Sequence, residues 1–257
     1  MSWELVDWSI IGPAMAAGLL VLSTHVPLGQ VVLQRGIIFI DLAIAQVAAL
    51  GVIAAGSLGW EENTYAVQLA AVSAAVLAAA GLHWTERNWP EIQEALIGTL
   101  FILAATGSVL LLAENPHGGD YLKDILVGQI LWTTWHMLIP VVVLYAVLLW
   151  VWFFGRERLG RAAFYGTFAF AVTAAVQIVG VYLVFASLIL PALATRRMNG
   201  PWRLLTGYAV GALAFLAGIT ISALLDLPTG AVTVWTMASI ALLAGLLIGR
   251  RVRRRAA

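Results

Sequence analysis

Runs of apolar residues, each about the length needed to cross the hydrocarbon core of a bilayer as a helix, recur from Trp8 to Gly249. Hydrophobic residues fill 62% of the 257 positions and charged residues only 11%. A soluble domain of this length would carry far more charge. The runs lie at 8–27, 36–56, 64–83, 92–113, 136–154, 162–195, 203–223 and 229–249. Helix is expected in each, because an open sheet cannot satisfy its backbone in lipid. The expected fold is therefore all-α: one polytopic membrane helix bundle over residues 1–257, with eight or nine transmembrane segments and no second domain. The acidic start, Met1 to Asp7, runs into the first apolar stretch without a small-residue cleavage pattern, so no cleaved signal peptide is expected. Cysteine is absent, which removes disulfides and thiolate ligands.

The sign of the charges decides between eight and nine segments. Basic residues favour the cytoplasmic side of short loops. Run 162–195 is too long for one segment and has a natural break at Gly180. Read as a hairpin, it gives nine segments with the N-terminus outside. Arg35, Arg87, Arg156, Arg158, Arg161, Arg196, Arg197, Arg203 and the five arginines of the tail then all lie inside, with Lys123 the exception. Glu4, Asp7, Glu61, Glu62, Glu114, Asp120, Asp124 and Asp226 lie outside. Most tryptophans fall near segment ends, as an interfacial belt requires. The long outer loop 114–135 carries Gly118-Gly119 and an amphipathic stretch, Tyr121 to Trp135, suited to the outer surface. The expected location is a bacterial inner membrane.

Several functions are excluded. The single lysine, Lys123, is followed by Asp124, so the chain has no phosphate-binding Gly-Lys-Ser/Thr loop. No Gly-x-Ser-x-Gly elbow or His-Glu-x-x-His pair occurs, so a hydrolase, and an enzyme in general, is not expected. The basic tail is explained by topology, and nucleic-acid binding is not expected. Polar groups inside the segments are costly and point to function. Asp41 lies early in the second run and Gln46 near its middle. Gln177 lies in the hairpin run, and Asp226 ends the eighth segment. Each has a plainer reading. Asp41 can pair with Arg35, Gln46 and Gln177 can join helices by hydrogen bonds, and Asp226 can simply end a helix before Pro228. His25 and His83 read as interfacial. His117, with Glu114 and Asp120, reads as a solvated loop or a weak cation-collecting patch.

Four motifs stand in order along the chain. They are Arg35 to Gly51, Leu126-Val127-Gly128-Gln129-Ile130-Leu131, the stretch Val179-Gly180-Val181 through Pro191-Ala192-Leu193-Ala194, and Ser222-x-x-x-Asp226-x-Pro228-x-Gly230. Together they resemble the permease subunit of ABC importers for zinc, manganese or iron, over residues 25–245. The resemblance implies a homodimer in the lipid bilayer, an ABC ATPase on each copy inside, and a periplasmic or extracellular metal-binding protein outside. ATP would act on the partner subunit. This chain would carry no cofactor of its own and would pass a divalent metal ion. Asp226, Asp41 and Gln46 are the metal candidates, with Asp226 foremost because its motif is intact. Arg156, Glu157, Arg158 and Arg161 are the ATPase-docking candidates.

Three departures accompany the resemblance. Aligned on Arg35, Phe39 and Gly51, the family's Asp falls at Leu42 and its His at Gln46, while Asp41 takes the place of a Gly. A Gln oxygen is a poorer zinc ligand than imidazole, and two carboxylates with an amide suit a harder ion. The docking stretch is shorter than the family's. Glu114–Asp124 is richer in glycine and acid. The rival expectation is a permease relative that no longer transports and serves as a scaffold, or a permease for another small solute.

Overall fold

The computed structural model describes residues 8–60, 63–113, 115 and 117–256, with the backbone alone for 121, 156–159, 161 and 250–256. Ten helices follow one another: α1 (Trp8–Arg35), α2 (Ile40–Ser57), α3 (Thr64–Asn88), α4 (Gln93–Leu111), α5 (Gly118–Val127), α6 (Trp135–Trp150), α7 (Arg156–Val179), α8 (Val181–Ala194), α9 (Pro201–Leu225) and α10 (Thr229–Ala256). Short 3-10 turns at Pro90–Ile92 and Ile130–Trp132 lead into α4 and α6, and a π-helical turn, Val151–Gly155, joins α6 to α7. Among the described residues, eight helices are long and apolar enough to cross a membrane. The short α8 is also apolar and spans about 21 Å at 1.5 Å per residue.

The side-chain contacts fix the helix directions. Along α1, Gly18, Leu22 and Val26 meet Phe215, Gly211 and Gly207 in turn, so α9 runs antiparallel to α1. On α6, Trp135 lies against Gly12 and Tyr145 interacts with Thr24, so α6 runs parallel to α1. Tyr145 bonds Ala171 and Trp152 stacks near Phe164, so α7 opposes α6. Between α3 and α7, Gln68 meets Gln177 and His83 meets Tyr165, again antiparallel. Both α8 and α10 begin beside Val127–Gly128 and run together to the contact between Arg197 and Gly249. Thus α8 points opposite to α7, and the chain reverses at Gly180, as the charge sorting predicts. Arg35, Arg87, Arg196, Arg197 and Arg203 lie at one end of the bundle, and Lys123, Asp124 and Asp226 at the other. Glu4, Asp7, Glu61, Glu62 and Glu114, also assigned to the outer side, lie outside the described residues.

Burial divides the helices into two sets. α1, α2 and α7, together with α8, supply most of the core, including Val21, Leu28, Ile44, Phe168, Val172, Val184 and Leu188. α3, α4, α6 and α10 turn large apolar side chains outward, among them Leu77, Leu110, Val143 and Leu243. An outward apolar face is what a lipid-exposed helix requires.

Three boundaries differ from the sequence reading. α1 continues past Pro27 to Arg35, which carries His25 from the expected interface into the interior. α2 starts at Ile40 because Gly36, at φ 73°, and a turn occupy the residues before it. The expected surface stretch Tyr121–Trp135 begins inside α5, whose Lys123 and Asp124 are exposed, and is broken at Gly128, at φ 74°, after which Ile130 drops into the core.

Candidate functional site

At the outer end, the turn between α9 and α10 is built by Ser222. Its buried hydroxyl donates to the Leu227 carbonyl at 2.6 Å and shares a 2.6 Å hydrogen bond with the Thr229 hydroxyl. The Leu227 N–H donates back to the Ser222 carbonyl at 3.2 Å. Asp226 closes α9 in the left-handed region, at φ 52° and ψ 46°. Among the described residues it alone takes a positive φ without being glycine. Such a conformation is uncommon outside Gly, Asn and Asp. Its side chain is exposed and lines a cavity of about 310 Å³ with Gly128, Gln129, Trp132 and Pro228.

Beside this cavity three backbones nearly touch. A Cβ on Gly180 would stand 2.3 Å from the Gly128 nitrogen, and one on Gly128 would stand 2.3 Å from the Val179 carbonyl carbon. A Cβ on Gly230 would stand 2.1 Å from the Val127 oxygen. No side chain fits at those separations. The glycines of three of the four sequence motifs therefore meet at one point, joining α5, the α7–α8 reversal and α10. Across α5 and α7 lies a second cavity of about 340 Å³, lined in part by Ala49, Asp124, Gln129, Thr173 and Gln177. Gln177 accepts a hydrogen bond from Gln68 of α3, so its role in joining helices is visible.

Asp41 stands at the other end of the bundle, in the first turn of α2, fully buried. Among the described residues, neither of its carboxylate oxygens has a hydrogen-bond partner. The plain reading of an Asp41–Arg35 pair is overturned. Arg35 instead reaches Glu86, Nη1 to Oε1 3.7 Å, and lies over the Phe164 ring at 4.4 Å from its centroid. Close to Asp41, the phenol of Tyr145 donates to the Ala171 carbonyl at 2.8 Å and also interacts with Thr24. Helices α1, α2, α6 and α7 thus converge near one unpartnered carboxylate. Gln46 is also buried. Five residues on from Asp41, it lies on a different face of α2, since each residue rotates a helix by about 100°. The structure leaves Asp226 apart from both. α2 packs on α3, α4, α7 and α8, whereas α9 packs on α1, α8 and α10. Among the described residues, no three His, Asp or Glu side chains gather as a metal-holding group.

His25 is the residue the sequence reading misplaces. Its ring is fully buried in α1. Nδ1 donates to the Val21 carbonyl at 2.9 Å and lies 3.1 Å from the Thr24 hydroxyl. A carbonyl only accepts, so Nδ1 carries the proton, and Nε2 is buried without a hydrogen-bond partner among the described residues. A ring whose other nitrogen is pinned this way has the arrangement of a metal-ligating imidazole. The apolar run closes at residue 27, eight residues before α1 ends at Arg35, so nothing in the sequence signalled that His25 lies inside.

The inner end carries a polar cluster. Phe39 N–H donates to Glu94 at 3.4 Å, Thr85 donates to Gln93 at 2.8 Å, and the Gln93 amide donates to the Leu82 carbonyl at 2.9 Å. With Arg35, Glu86, His83 and Tyr165, these groups tie the ends of α1 and α3 to the starts of α4 and α7. The docking candidates Arg156, Glu157 and Arg158 follow the π-helical turn, and Gly160, at φ 57° and ψ −134°, sets them off from Arg161 and the rest of α7. Their side chains lie outside the described residues.

Three comparisons bear on this arrangement. A sequence model of the family described as ABC 3 transport family matches residues 7–248. PsaBC from Streptococcus pneumoniae, solved in complex with Fab, is similar at a TM-score of 0.76 and 21% identity, covering 95% of each chain. A structure described as a metal-chelate type ABC transporter in an inward-facing conformation is similar at 0.60 and 19% identity, covering 94% of this chain and 85% of the other. At these identities the two structures establish the fold.

Proposed function

The chain belongs to the ABC 3 transport family, whose members are non-enzymatic transporter permeases, and from that membership we propose that it is the membrane subunit of an ATP-driven importer for a divalent metal cation. Zinc, manganese and iron are the candidate ions. Asp41 carries the reading. An ionised carboxylate without a partner in the interior is strongly disfavoured, and in a membrane segment such a group defaults to function. A passing cation would compensate it, and His25 offers a lone pair in the same core. Asp226 serves as an outer station, where its turn holds a carboxylate at the mouth of a cavity. The weighting of the sequence analysis is thereby reversed: Asp41 ranks above Asp226.

The energy comes from a separate ATPase docked on Gly155–Arg161, with Thr195–Arg203 beside it, and a second copy of this chain completes the path. A metal-binding protein delivers the ion from outside. Gln46 and the absence of a three-ligand group among the described residues favour a second reading, a family member that no longer moves metal. Uptake separates the two. Cells carrying Asp41→Asn accumulate at least tenfold less zinc, manganese or iron than wild type at equal membrane expression, and Asp226→Asn gives a smaller loss. Unchanged uptake of all three ions in Asp41→Asn refutes the site and favours the non-transporting reading.

A further inference from the structure

The cavity of about 340 Å³ beside α5 is a cleft in the outer half of the bundle. Ala49 of α2 and Val176 of α7 lie in its floor, Val67 of α3 and Met137 of α6 flank it, and Asp124 of α5 stands at its outer end. The side chains of α7 show where it opens. Phe170 and Gln177, seven residues and so about two turns apart on one stripe, are exposed, whereas Val172, Ala175 and Val176 are buried. That stripe lies between α3 and α6, whose Leu69 and Met137 are also exposed. α3 packs on α2, α4 and α7, and α6 on α1 and α7. Neither packs on α8 or α10, so the cleft opens toward lipid on a different side of the bundle from those helices. Its polar groups gather at the outer end. Gln177 comes two residues before α7 ends at Val179, and Gln68 lies in the second turn of α3. The bond between them uses the Gln68 amide nitrogen and the Gln177 oxygen. The Gln177 N–H groups and the Gln68 oxygen are left for another partner. Asp124 supplies the one charge in the lining. Among the described residues, its carboxylate has no ion pair. The sequence explains why: between Arg87 and Arg156 the only lysine or arginine is Lys123. Trp132, exposed at the rim, is a residue type of the membrane interface.

We propose that this cleft binds a phospholipid of the outer leaflet that carries a primary ammonium, with the ammonium on Asp124, the phosphate on the amide N–H groups of Gln177, and an acyl chain between α3 and α6 over Phe170. The complementarity is twofold. Polar groups stand at the outer end and an apolar stripe runs inward from them, which is the division between headgroup and chain in a lipid. A primary ammonium also offers three N–H donors, and a hydrogen bond from such a cation to a carboxylate is among the strong ones. The quaternary ammonium of phosphatidylcholine has no N–H to offer. The uncompensated negative charge of phosphatidylglycerol would meet Asp124 as a like charge. A divalent cation is a poorer occupant, because one carboxylate among amides falls short of its ligand set. A protein docked from outside would cover the rim and leave the mouth between α3 and α6 to lipid. None of this depends on which ion the chain moves.

The test uses the full chain purified in mild detergent with any subunits that accompany it. It is titrated with phosphatidylethanolamine, phosphatidylcholine or phosphatidylglycerol of the same acyl chains and read by native mass spectrometry. Phosphatidylethanolamine is expected to bind roughly tenfold more tightly than the other two, the effect of one hydrogen bond to a charged group. Asp124→Asn brings it to near parity with phosphatidylcholine. Asp120→Asn, an exposed position on the same helix outside the cleft, leaves the preference intact, which separates this site from diffuse attraction to an acidic loop. Gln177→Leu weakens phosphatidylethanolamine and phosphatidylcholine alike, because both carry the phosphate. Ala49→Leu, which fills the floor, removes the bound lipid. Phosphorylethanolamine, the headgroup alone, does not displace it at millimolar concentration. Equal binding of the three lipids by the wild type overturns the proposal, as does a preference that survives Asp124→Asn. Displacement by phosphorylethanolamine overturns the lipid and leaves a site for small amines. Efficient cross-linking between cysteines placed at Leu69 and Met137 of two copies assigns the cleft to a protein interface instead. Should Ala49→Leu fail to fold, the comparison of Asp124→Asn with Asp120→Asn still decides.

Discussion

Replacing Gly180 by alanine puts the glycine junction to a quantitative test. Two costs combine there. Gly180 has φ 79° and ψ 161°, a region that is essentially confined to glycine, and a side chain held in such a region costs about 1–3 kcal/mol. The added Cβ also meets the Gly128 nitrogen at 2.3 Å and the Val127 carbonyl carbon at 2.6 Å. Both are backbone atoms, so no rotamer change relieves the clash, and overpacking of this kind costs about 1–3 kcal/mol more. The sum, roughly 2–6 kcal/mol, is a large share of the ~5–15 kcal/mol that holds a typical protein folded. At about 2–4 °C per kcal/mol for a chain of this size, the midpoint of thermal unfolding in detergent should fall by at least ~4 °C. Gly166→Ala is the control, since Gly166 is helical and a Cβ there meets nothing within 4 Å. Size-exclusion of heated, detergent-solubilised protein gives both midpoints. A Gly180→Ala midpoint equal to that of Gly166→Ala would refute the claim that these backbones are in contact.

Gly128→Ala should destabilise comparably, and combining it with Gly180→Ala should cost less than the sum, because one displacement relieves both clashes. Ser222→Ala strands the Leu227 carbonyl and Thr229 hydroxyl, costing about 1–3 kcal/mol, and should raise proteolysis at the α9–α10 turn measured on reconstituted protein. Arg35→Lys keeps the charge beside Glu86 but loses the planar stack on Phe164, worth about 0.5–1 kcal/mol at a partly exposed site; thermal midpoints of Arg35→Lys and Arg35→Gln should fall in that order. Cysteines introduced at Arg158 and Asp120 of this cysteine-free chain should react with an impermeant maleimide from opposite sides of the membrane, and labelling of both from outside would refute the topology of nine membrane segments.

The features legible in the sequence are those that a single segment encodes. Apolar run length placed the membrane helices, and the sorting of arginines placed the reversal at Gly180. The paired and packed features were not legible, because their partners are distant in the chain. Arg35 seemed free for Asp41, six residues away, until α3 folded back and brought Glu86 beside it. The glycines at 128, 180 and 230 each suggested a turn, but only the tertiary structure shows that they are needed for one another. His25 was misjudged for a local reason. The first apolar run closes at residue 27, which put His25 near its end, yet α1 continues for two further turns and buries the ring. Asp41 and Gln46 both fall in α2, but their separation around it and their distance from Asp226 could not be read from spacing alone.

Helix α7 is held differently at its two ends, and this bears on how such a bundle can open. At Val179–Gly180 its backbone abuts the backbone of α5, with no side chain between them. At Phe164 and Tyr165 it is held by side chains: the guanidinium of Arg35 over Phe164 and the ring of His83 beside Tyr165. Backbone contacts at these separations cannot lengthen gradually, because packed interfaces have discrete arrangements rather than continuous ones. Side-chain contacts can exchange partners through rotamer changes at a cost of about 1 kcal/mol each. Movement of α7 is therefore easier at its inner end, beside Gly160, than at the glycine junction. A force applied at Arg156–Arg161 would reach the Arg35–Glu86–Tyr165 cluster first. From there it would pass to α2, which packs on α7 and carries Asp41 in its first turn.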